Sequence, residues 1–238
     1  MKIHALTVSV GYADLLALSM ERWMAGLETL TIVTDLHDNA TRDLAFDAMR
    51  RYPGGRVALH ATDVFYANGA WFNKGAAMEE ARGSMPWEDW ILFLDADVVP
   101  EADWKEKVDA AGLQSGKLYG CRRLNARDQT WIDNPLCAAI ADDRVGYGYF
   151  QLFHSADPLV QKRPLLERHW VHGGNYDSMF LLRWPRAEEL NLRLWHIGGP
   201  SHNWYGKGQD HLFDAMERER IRRGGGWASI DGERLPAG

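Results

Sequence analysis

The sequence is poor in three features that would each point to a particular class of protein. Its two cysteines, Cys121 and Cys137, are too few among 238 residues for a disulfide framework and fit a reducing compartment. We recognise neither a signal peptide nor an apolar run long enough to span a bilayer. The net charge of −6 provides no basic field for nucleic acid. We therefore expect a cytoplasmic protein without a transmembrane segment or a nucleic-acid partner.

The composition is that of an ordinary globular domain, with 46% hydrophobic and 25% charged residues. Up to residue 116, segments with strand character alternate with segments of helical periodicity, which predicts a mostly parallel sheet flanked by helices. From residue 117 onward, loops rich in Asn, Asp, Pro and Gly separate shorter segments. We expect one domain over 1–238, with a regular half (1–116) and a loop-rich half (117–238).

Apolar runs and periodicity place the individual elements. The predicted strands are 3–10, 30–34, 56–61, 90–94, 117–121, 147–154 and 192–197. The predicted helices are 12–26, about 39–52, 72–81, 100–112, 177–184 and 210–223. The second helix is expected to turn Leu44, Ala48 and Met49 inward. The helix that begins at Pro100 is expected to bury Trp104, Val108 and Ala111.

Two carboxylates follow the most apolar of the predicted strands. Residues 91–94 are all apolar, as in a parallel strand buried on both faces, and they lead directly into Asp95-Ala96-Asp97. Ligands of α/β sheets bind at this end of the strands, and alternate residues share a face, so both carboxylates can reach one hard cation such as Mg²⁺ or Mn²⁺. The alternative is a solvated turn, or an Asp that caps the next helix.

A second group of polar residues follows the last predicted strand. His196 ends an apolar segment, and a Gly-rich loop then leads to His202 and Trp204. Such a loop exposes backbone N–H groups to phosphate, which His202 would also reach. A histidine ligand would favour Mn²⁺ over Mg²⁺. The alternative is a core histidine followed by an ordinary turn.

The apolar strand ending in Asp95-Ala96-Asp97 resembles the metal-binding strand of nucleotide-sugar glycosyltransferases with the A-type (GT-A) fold. The segment 33–41 resembles the Asp-Asp-Gly-Ser-x-Asp-x-Thr stretch of family 2 but lacks its Gly-Ser, so only Asp35 is carried over, as a base or ribose contact. Asn73-Lys74-Gly75 resembles the helix start that lies against the nucleotide in that family.

The stretch from His196 to Trp204 resembles the His-x-x-Gly-x-x-Lys-Pro-Trp stretch of family 8 enzymes. This resemblance implies that His196 is the third metal ligand beside Asp95 and Asp97, and that Asp95 also contacts the donor. His202 stands at the position of the Lys that holds the diphosphate. Trp204 is expected to lie at the donor as well.

Asp177 is the candidate catalytic base. The segment 170–177 resembles the Trp-Gly-Gly-Glu-Asp region of inverting enzymes of this fold, where an acidic residue at a helix start is the base. An inverting transfer needs a carboxylate to take the proton from the attacking hydroxyl. The alternative is an Asp that only caps the helix.

Together these resemblances imply a Rossmann-like GT-A domain with a mixed, mostly parallel sheet. Its activity would be a metal-dependent, hexosyltransferase-like transfer from a UDP-sugar to a saccharide or other hydroxyl acceptor, with inversion favoured over retention. Residues 1–116 would bind the nucleotide sugar, and 117–238 would bind the acceptor. Three alternatives stay open: a haloacid-dehalogenase-type phosphatase with Asp95 as nucleophile, a nucleotidyltransferase, and a non-catalytic binding domain.

Overall fold

The centre of the structure is a mixed β-sheet with helices on both faces. The structure, a computed structural model, describes residues 1–70, 72–126, 128–134, 140–142, 145, 148–162, 164–166 and 176–197. The predicted helix 210–223, together with His202 and Trp204, lies outside these residues. Within the described ranges, no helix combines the length and the apolarity that crossing a bilayer requires.

The elements follow the predicted alternation through the first half of the chain. The strands are β1 (Ile3–Val8), β2 (Thr29–Asp35), β3 (Val57–Thr62), β4 (Trp90–Asp95), β5 (Val98–Pro100), β6 (Leu118–Gly120), β7 (Arg123–Ala126), β8 (Ile140–Asp142), β9 (Phe150–His154), β10 (Ala187–Glu189) and β11 (Leu194–Ile197). The helices are α1 (Ala13–Met24), α2 (Asn39–Arg51), α3 (Lys74–Ala81), α4 (Trp104–Ala110) and α5 (Tyr176–Leu181). Short 3₁₀ helices cover Val64–Gly69, Gln129–Trp131 and Pro158–Val160.

The main sheet has the strand order β10-β6-β9-β4-β1-β2-β3. Its strands β1 to β4 are parallel to one another, whereas β9 runs antiparallel to both β4 and β6. Every residue of β1 is buried, including the polar His4 and Thr7, as in a strand covered on both faces. The chain leaves β1 toward β2 on one side and returns to β4 on the other. This reversal creates a crevice at the carboxyl ends of β1 and β4, where ligands bind in open α/β sheets.

Aromatic side chains fill the core on both faces of the sheet. On one face Trp23 packs edge-on against Trp104, with ring centroids 5.0 Å apart, and its indole N–H donates to the backbone oxygen of Val98 at 2.8 Å. On the other face the Phe153 ring lies 5.2 Å from that of Phe93 and 5.1 Å from that of Phe180 on α5. Buried rings therefore fix the helices to both faces of the sheet.

A second, smaller sheet, β5-β11-β7-β8, returns the chain to the end of β4. In this sheet β11 pairs antiparallel with β5, with His196 opposite Val98, and parallel with β7. The backbone N–H of Ile197 donates to the oxygen of Asp97 at 3.0 Å. This pairing places the last strand of the described chain directly beside the Asp95-Ala96-Asp97 segment.

Two predicted features are wrong in detail. Pro100 does not begin a helix: it ends β5, because it pairs with Leu194 of β11, and α4 starts only at Trp104. Ala111 follows α4 and is exposed, although Trp104 and Val108 are buried as predicted.

The packed face of α2 is also shifted from the predicted one. Thr41, Ala45 and Ala48 face the sheet, and Leu44 is only partly buried. Met49 is 41% exposed. The helix lies against the sheet through these small side chains, whose spacing of four and three residues defines one stripe.

Candidate functional site

Polar side chains gather at the carboxyl edge of the main sheet. Asp95, the last residue of β4, pairs with Val8 at the end of β1, and Asp35, the last residue of β2, pairs with Thr62 at the end of β3. The strand register thus brings the carboxylates predicted from separate parts of the sequence to one edge. This edge contains the crevice between β1 and β4.

Asp38 anchors the loops of this edge. Its Oδ1 accepts the backbone N–H of Thr41 at 3.1 Å, which caps α2, and its Oδ2 accepts the N–H of Gly11 at 2.7 Å and the Thr34 hydroxyl at 3.1 Å. Burial alone would raise the pKa of Asp38, but these hydrogen bonds outweigh it and lower that pKa. Sequence reasoning missed this role, for which the signal was an Asp directly before a helix.

Asp35 lies beside an aromatic cluster that the sequence reasoning did not include. The Asp35 carboxylate is buried and accepts the backbone N–H of His37 at 2.8 Å. Burial, together with the nearby carboxylates of Asp35 and Asp38, raises the pKa of the Tyr66 phenol to about 12. The Tyr66 ring is 6.3 Å from that of Phe72. A carboxylate and an aromatic side chain therefore stand together at the ends of β2 and β3.

Asn73 and Lys74 begin α3, as predicted, and have different surroundings. The Asn73 side-chain oxygen accepts the N–H of Ala76 at 3.0 Å, so this buried residue is the N-cap of the helix. The Lys74 ammonium donates to Oδ1 of Asp95. Burial by itself would lower the pKa of Lys74, but the Asp95 carboxylate more than offsets this and holds that pKa above its ordinary value. Contact of Asn73 with a nucleotide stays a prediction.

Asp97 and His196 form a buried polar pair. Oδ2 of Asp97 lies 3.1 Å from Nε2 of His196, and the two side chains are 9% and 4% exposed, so neither is a solvated turn residue. The other ring nitrogen, Nδ1, is buried without a hydrogen-bond partner among the described residues. Sequence reasoning placed both residues in one site, and the structure brings them into contact.

The 3.1 Å separation of the pair is a hydrogen-bond distance, and it is also compatible with a shared cation. Two ligands about 2.1 Å from an octahedral cation and at right angles to each other are about 3 Å apart, close to the Asp97–His196 distance. Asp95 contacts Lys74 instead. In the part of the chain that the structure describes, no three carboxylate, imidazole or thiol side chains converge closely enough to form a metal cluster. The carboxylate and imidazole of this pair suit a divalent cation whose remaining coordination positions other ligands would fill.

Asp177 lies in the first turn of α5, at the helix start predicted for it, and its role as the base stays a prediction. Its Oδ2 accepts the backbone N–H of Gly148 at 3.1 Å, and its backbone oxygen accepts the side-chain amide of Gln151 at 3.2 Å. Gly148 and Gln151 come from the segment that forms β9, the neighbour of β4. Asp177 is therefore held to the strand next to the one that ends in Asp95. The predicted phosphate contacts, His202 and Trp204, fall outside the described residues.

Comparison with models of protein families and with curated protein sequences gave no match. Solved structures are similar to the chain at low identity. The mannosyltransferase PcManGT from Pyrobaculum calidifontis, in complex with GDP-Man and Mn²⁺, matches with a TM-score of 0.56 and 11% identity, over 93% of this chain and 60% of that one. GalNAc-T7 with UDP, GalNAc and Mn²⁺ matches with a TM-score of 0.57 and 11% identity, over 84% of this chain and 44% of that one.

A third structure differs in length and activity. The inositol-1-phosphate CTP transferase from T. maritima matches with a TM-score of 0.51 and 8% identity, over 91% of this chain and 96% of that one. The chain spans less than two thirds of both glycosyltransferases, 60% and 44% of their lengths. The strand order and these likenesses show that the chain has the GT-A fold, a Rossmann-like mixed sheet flanked by helices, as predicted.

Proposed function

We propose that the protein is a metal-dependent glycosyltransferase that moves a sugar from a nucleoside diphosphate sugar to a hydroxyl acceptor. The observation that carries the proposal is the buried Asp97–His196 pair, which stands next to Asp95 at the crevice of a GT-A fold. Buried carboxylates are rare unless they are paired or bind a cation. Here the carboxylate and its partner come from distant parts of the described chain and meet where this fold binds its ligand.

Asp97 and His196 would hold the cation, and Asp95 would complete the protein ligands. A bound Mn²⁺ or Mg²⁺ would neutralise the charge that develops on the diphosphate leaving group. Mn²⁺ is favoured because an imidazole belongs to the donor set. The PcManGT and GalNAc-T7 structures both contain Mn²⁺.

The nucleoside would lie along the ends of β1 to β3. Asp35 would accept a hydrogen bond from the base or ribose, and the ring of Tyr66, which lies near enough for the Asp35 charge to raise its pKa, would pack against the base. Lys74 would bring its ammonium toward the diphosphate while it keeps Asp95 in place. His202 and Trp204 would add contacts to the diphosphate. UDP is the favoured nucleotide.

Asp177 would act on the acceptor. Its carboxylate would take the proton of the attacking hydroxyl, so the transfer would invert the anomeric centre. The backbone N–H of Gly148 orients one carboxylate oxygen, Oδ2. The acceptor would be a saccharide or another hydroxyl compound.

A binding screen on the intact protein tests this proposal. Thermal unfolding would be measured with UDP, GDP and CDP, each with and without Mn²⁺. We expect a nucleoside diphosphate to raise the unfolding temperature only when Mn²⁺ is present. If no nucleotide changes the unfolding temperature under any condition, the proposal is wrong.

Two matched variants assign the effect to the site. Asp97→Asn removes the charge of the buried pair but keeps its shape, and we expect it to lose the Mn²⁺-dependent shift. Asp47→Asn removes a charge from the exposed face of α2 and should behave as the wild type does. Unchanged nucleotide binding by a folded Asp97→Asn variant would place the cation elsewhere.

A nucleotidyltransferase is the second candidate, favoured by one observation. The chain spans 96% of the CTP transferase from T. maritima, so the two proteins have similar sizes. The products distinguish the two activities. A nucleotidyltransferase joins a sugar phosphate to a nucleoside triphosphate and releases pyrophosphate, whereas a glycosyltransferase releases a nucleoside diphosphate. The fold gives the phosphatase alternative no support. If metal-dependent binding occurs without turnover, a non-catalytic binding domain becomes the better interpretation.

A further inference from the structure

Tyr176 lies between Asp95 and Asp177, two of the carboxylates that the proposed reaction uses. It is the first residue of α5 and only 2% exposed. The Lys74 ammonium lies 4.9 Å from the centroid of the Tyr176 ring, at the same time as it contacts Oδ1 of Asp95. The next residue in the chain is Asp177. The Tyr176 ring therefore contacts the Lys74 ammonium, on the proposed donor side of the site. The backbone of Tyr176 leads directly to Asp177, the proposed base.

Gly148 shows how tightly this junction is packed. A Cβ atom on Gly148 would lie 2.7 Å from the Tyr176 hydroxyl oxygen and 2.9 Å from Cβ of Asp177. Those distances are too short for any side chain, so only glycine fits between the two residues and the sheet. The backbone oxygen of the following residue, Tyr149, accepts the backbone N–H of Asp95 at 3.5 Å. One short segment therefore contacts Tyr176, Asp177 and Asp95 together.

We infer that Tyr176 is a positioning residue, whose ring holds the Lys74 ammonium against Asp95 and thereby aligns the donor site with Asp177. The inference rests on the proposed function and adds a residue to it. A cation over a desolvated aromatic face is stabilised by the ring quadrupole. Lys74 is 12% exposed and Asp95 is 27% exposed. The ammonium is thus buried against the ring, while the carboxylate that it orients remains open to ligand.

The ring acts through Lys74 and does not itself touch the donor. A lysine side chain has several rotatable bonds, so its position must be fixed before binding if the site is to lose little entropy. The ring and Asp95 fix the ammonium from two directions. Weakening the ring contact should therefore weaken donor binding, although no ligand contact is removed.

A series of fluorinated rings at position 176 tests this inference with little change of shape. Tyr176→Phe keeps the ring face, and replacement by 4-fluoro- and then 3,4,5-trifluorophenylalanine lowers its negative potential stepwise. The probe is UDP or GDP with Mn²⁺, whichever binds the wild type, and the readouts are Kd and unfolding by urea. Tyr176→Phe is the reference of the series, because it also removes the hydroxyl group that interacts with Lys74, and we expect Kd to rise about tenfold from Phe to trifluorophenylalanine.

The outcomes separate this inference from the proposed function. If the wild type binds neither nucleotide, the proposed function fails. If it binds and Kd is constant along the series, Tyr176 has only a structural role and the inference is overturned. A loss of stability with constant Kd overturns it equally, since packing alone would explain that result.

A double-mutant cycle with Lys74→Met provides a second, independent test. If the ring acts through the ammonium, trifluorination should raise Kd in the wild-type background but leave it within about twofold in the Lys74→Met background. Equal effects in both backgrounds would show that the ring acts by another route.

Discussion

The two halves of the chain are built by different means. In residues 1–116 the strands β1 to β4 have six or seven residues each, and they are parallel neighbours connected by helices. The described strands after residue 117 have three to five residues. The first half is therefore held by long hydrogen-bonded ladders and apolar burial, and the second half must use other contacts to keep its position.

Those other contacts are buried polar groups that reach across the structure. The Glu79 carboxylate on α3 accepts the backbone N–H groups of Leu165 and Leu166, at 3.0 and 3.2 Å. The buried Asp157 accepts the Trp184 indole N–H at 2.9 Å. Asp35 and Asp95 thus end strands of a regular sheet, whereas the second half, which contains Asp177 and His196, depends on a few specific side chains. Four substitutions test this contrast.

The largest expected effect is that of Asp177→Asn on transfer. The amide keeps the shape of the side chain and an oxygen for the Gly148 N–H, but it cannot take a proton. We expect the rate of transfer to fall by roughly 10²- to 10⁴-fold, the usual contribution of a general base. Donor binding, measured as Kd for UDP or GDP with Mn²⁺, should stay within about twofold of wild type.

Glu189→Gln is the matched control for this substitution. It removes an exposed carboxylate of β10 that pairs with Arg122, and both readouts should remain at wild-type values. A transfer rate that is unchanged in Asp177→Asn would mean that Asp177 is not the base, as would be expected for a retaining enzyme. A parallel loss of donor binding would show that the two sides of the site are not separable.

Arg82→Met should produce the largest loss of stability in this set. Arg82 is buried, lies 3.6 Å from the Glu79 carboxylate and 4.1 Å from the Trp87 ring centroid, and donates to the backbone oxygen of Val160 at 3.0 Å. Its removal leaves the charge of Glu79 buried without this partner. We expect the free energy of unfolding in urea to fall by about 3–5 kcal/mol.

Exposed Arg50 on α2 provides the control, and Arg50→Met should change that free energy by less than about 0.5 kcal/mol. Nucleotide binding at temperatures where both variants are folded should persist, because Glu79, Trp87 and Val160 are not among the residues proposed to bind the nucleotide or the cation. A loss below about 1 kcal/mol for Arg82→Met would mean that apolar packing, and not this polar network, holds the segments at 158–160 and 164–166.

The two halves also differ in how much of their structure could be predicted from the sequence. Strands β1 to β4 were predictable because each is a short run of mostly apolar or β-branched residues, and the position of Asp95 and Asp97 followed from the end of β4. The start of α3 was predictable from Asn73, an N-cap residue before a helical segment. These signals are local, so a single sequence contains them.

Long-range pairings of short strands were not predictable. Nothing near Pro100 shows that it pairs with Leu194, and a proline before a helical pattern is a typical helix start. The antiparallel insertion of β9 between β4 and β6 has no local signal either. The Asp97–His196 contact was expected only from a resemblance. Tyr176 went unnoticed because a buried tyrosine at a helix start has no distinctive pattern.

Asp38→Ala should have a moderate effect that is confined to the first half. It removes the N-cap of α2 and the hydrogen-bond acceptor of the Gly11 N–H and the Thr34 hydroxyl. We therefore expect the free energy of unfolding at neutral pH to fall by about 1–2 kcal/mol. The pKa of Asp38 is lowered in the folded state. Its contribution is therefore present above the ordinary Asp pKa of 3.8 and disappears as the pH falls through the lower folded value.

Urea unfolding of both proteins between about pH 7 and pH 3 measures this difference. We expect the gap between wild type and Asp38→Ala to narrow at the acid end of the range. Asp43→Ala, on the exposed side of the same helix, should differ from wild type by less than about 0.5 kcal/mol at every pH. A pH-independent gap would show that the hydrogen bonds of Asp38 do not depend on its charge.

His4 should produce the smallest effect, and one with a definite sign. The His4 ring is buried in β1, with Nδ1 2.9 Å from the Thr29 hydroxyl. Burial lowers the pKa of His4 below 6.5 despite the carboxylate of Glu88, 3.8 Å from Nε2. Below pH 6.5 the unfolded chain binds the proton more readily than the folded one, so the protein becomes less stable as the pH falls.

Replacing His4 by Gln should remove this part of the pH dependence. We expect the wild type to lose less than about 1 kcal/mol from this group between about pH 7 and pH 5, since one pKa unit corresponds to about 1.4 kcal/mol. His37→Gln, in the exposed turn after β2, should retain the wild-type dependence. If the free energy of unfolding of His4→Gln depends on pH as that of the wild type does, His4 takes up a proton within the folded sheet. The long strands of the first half would then tolerate a buried charge at this position.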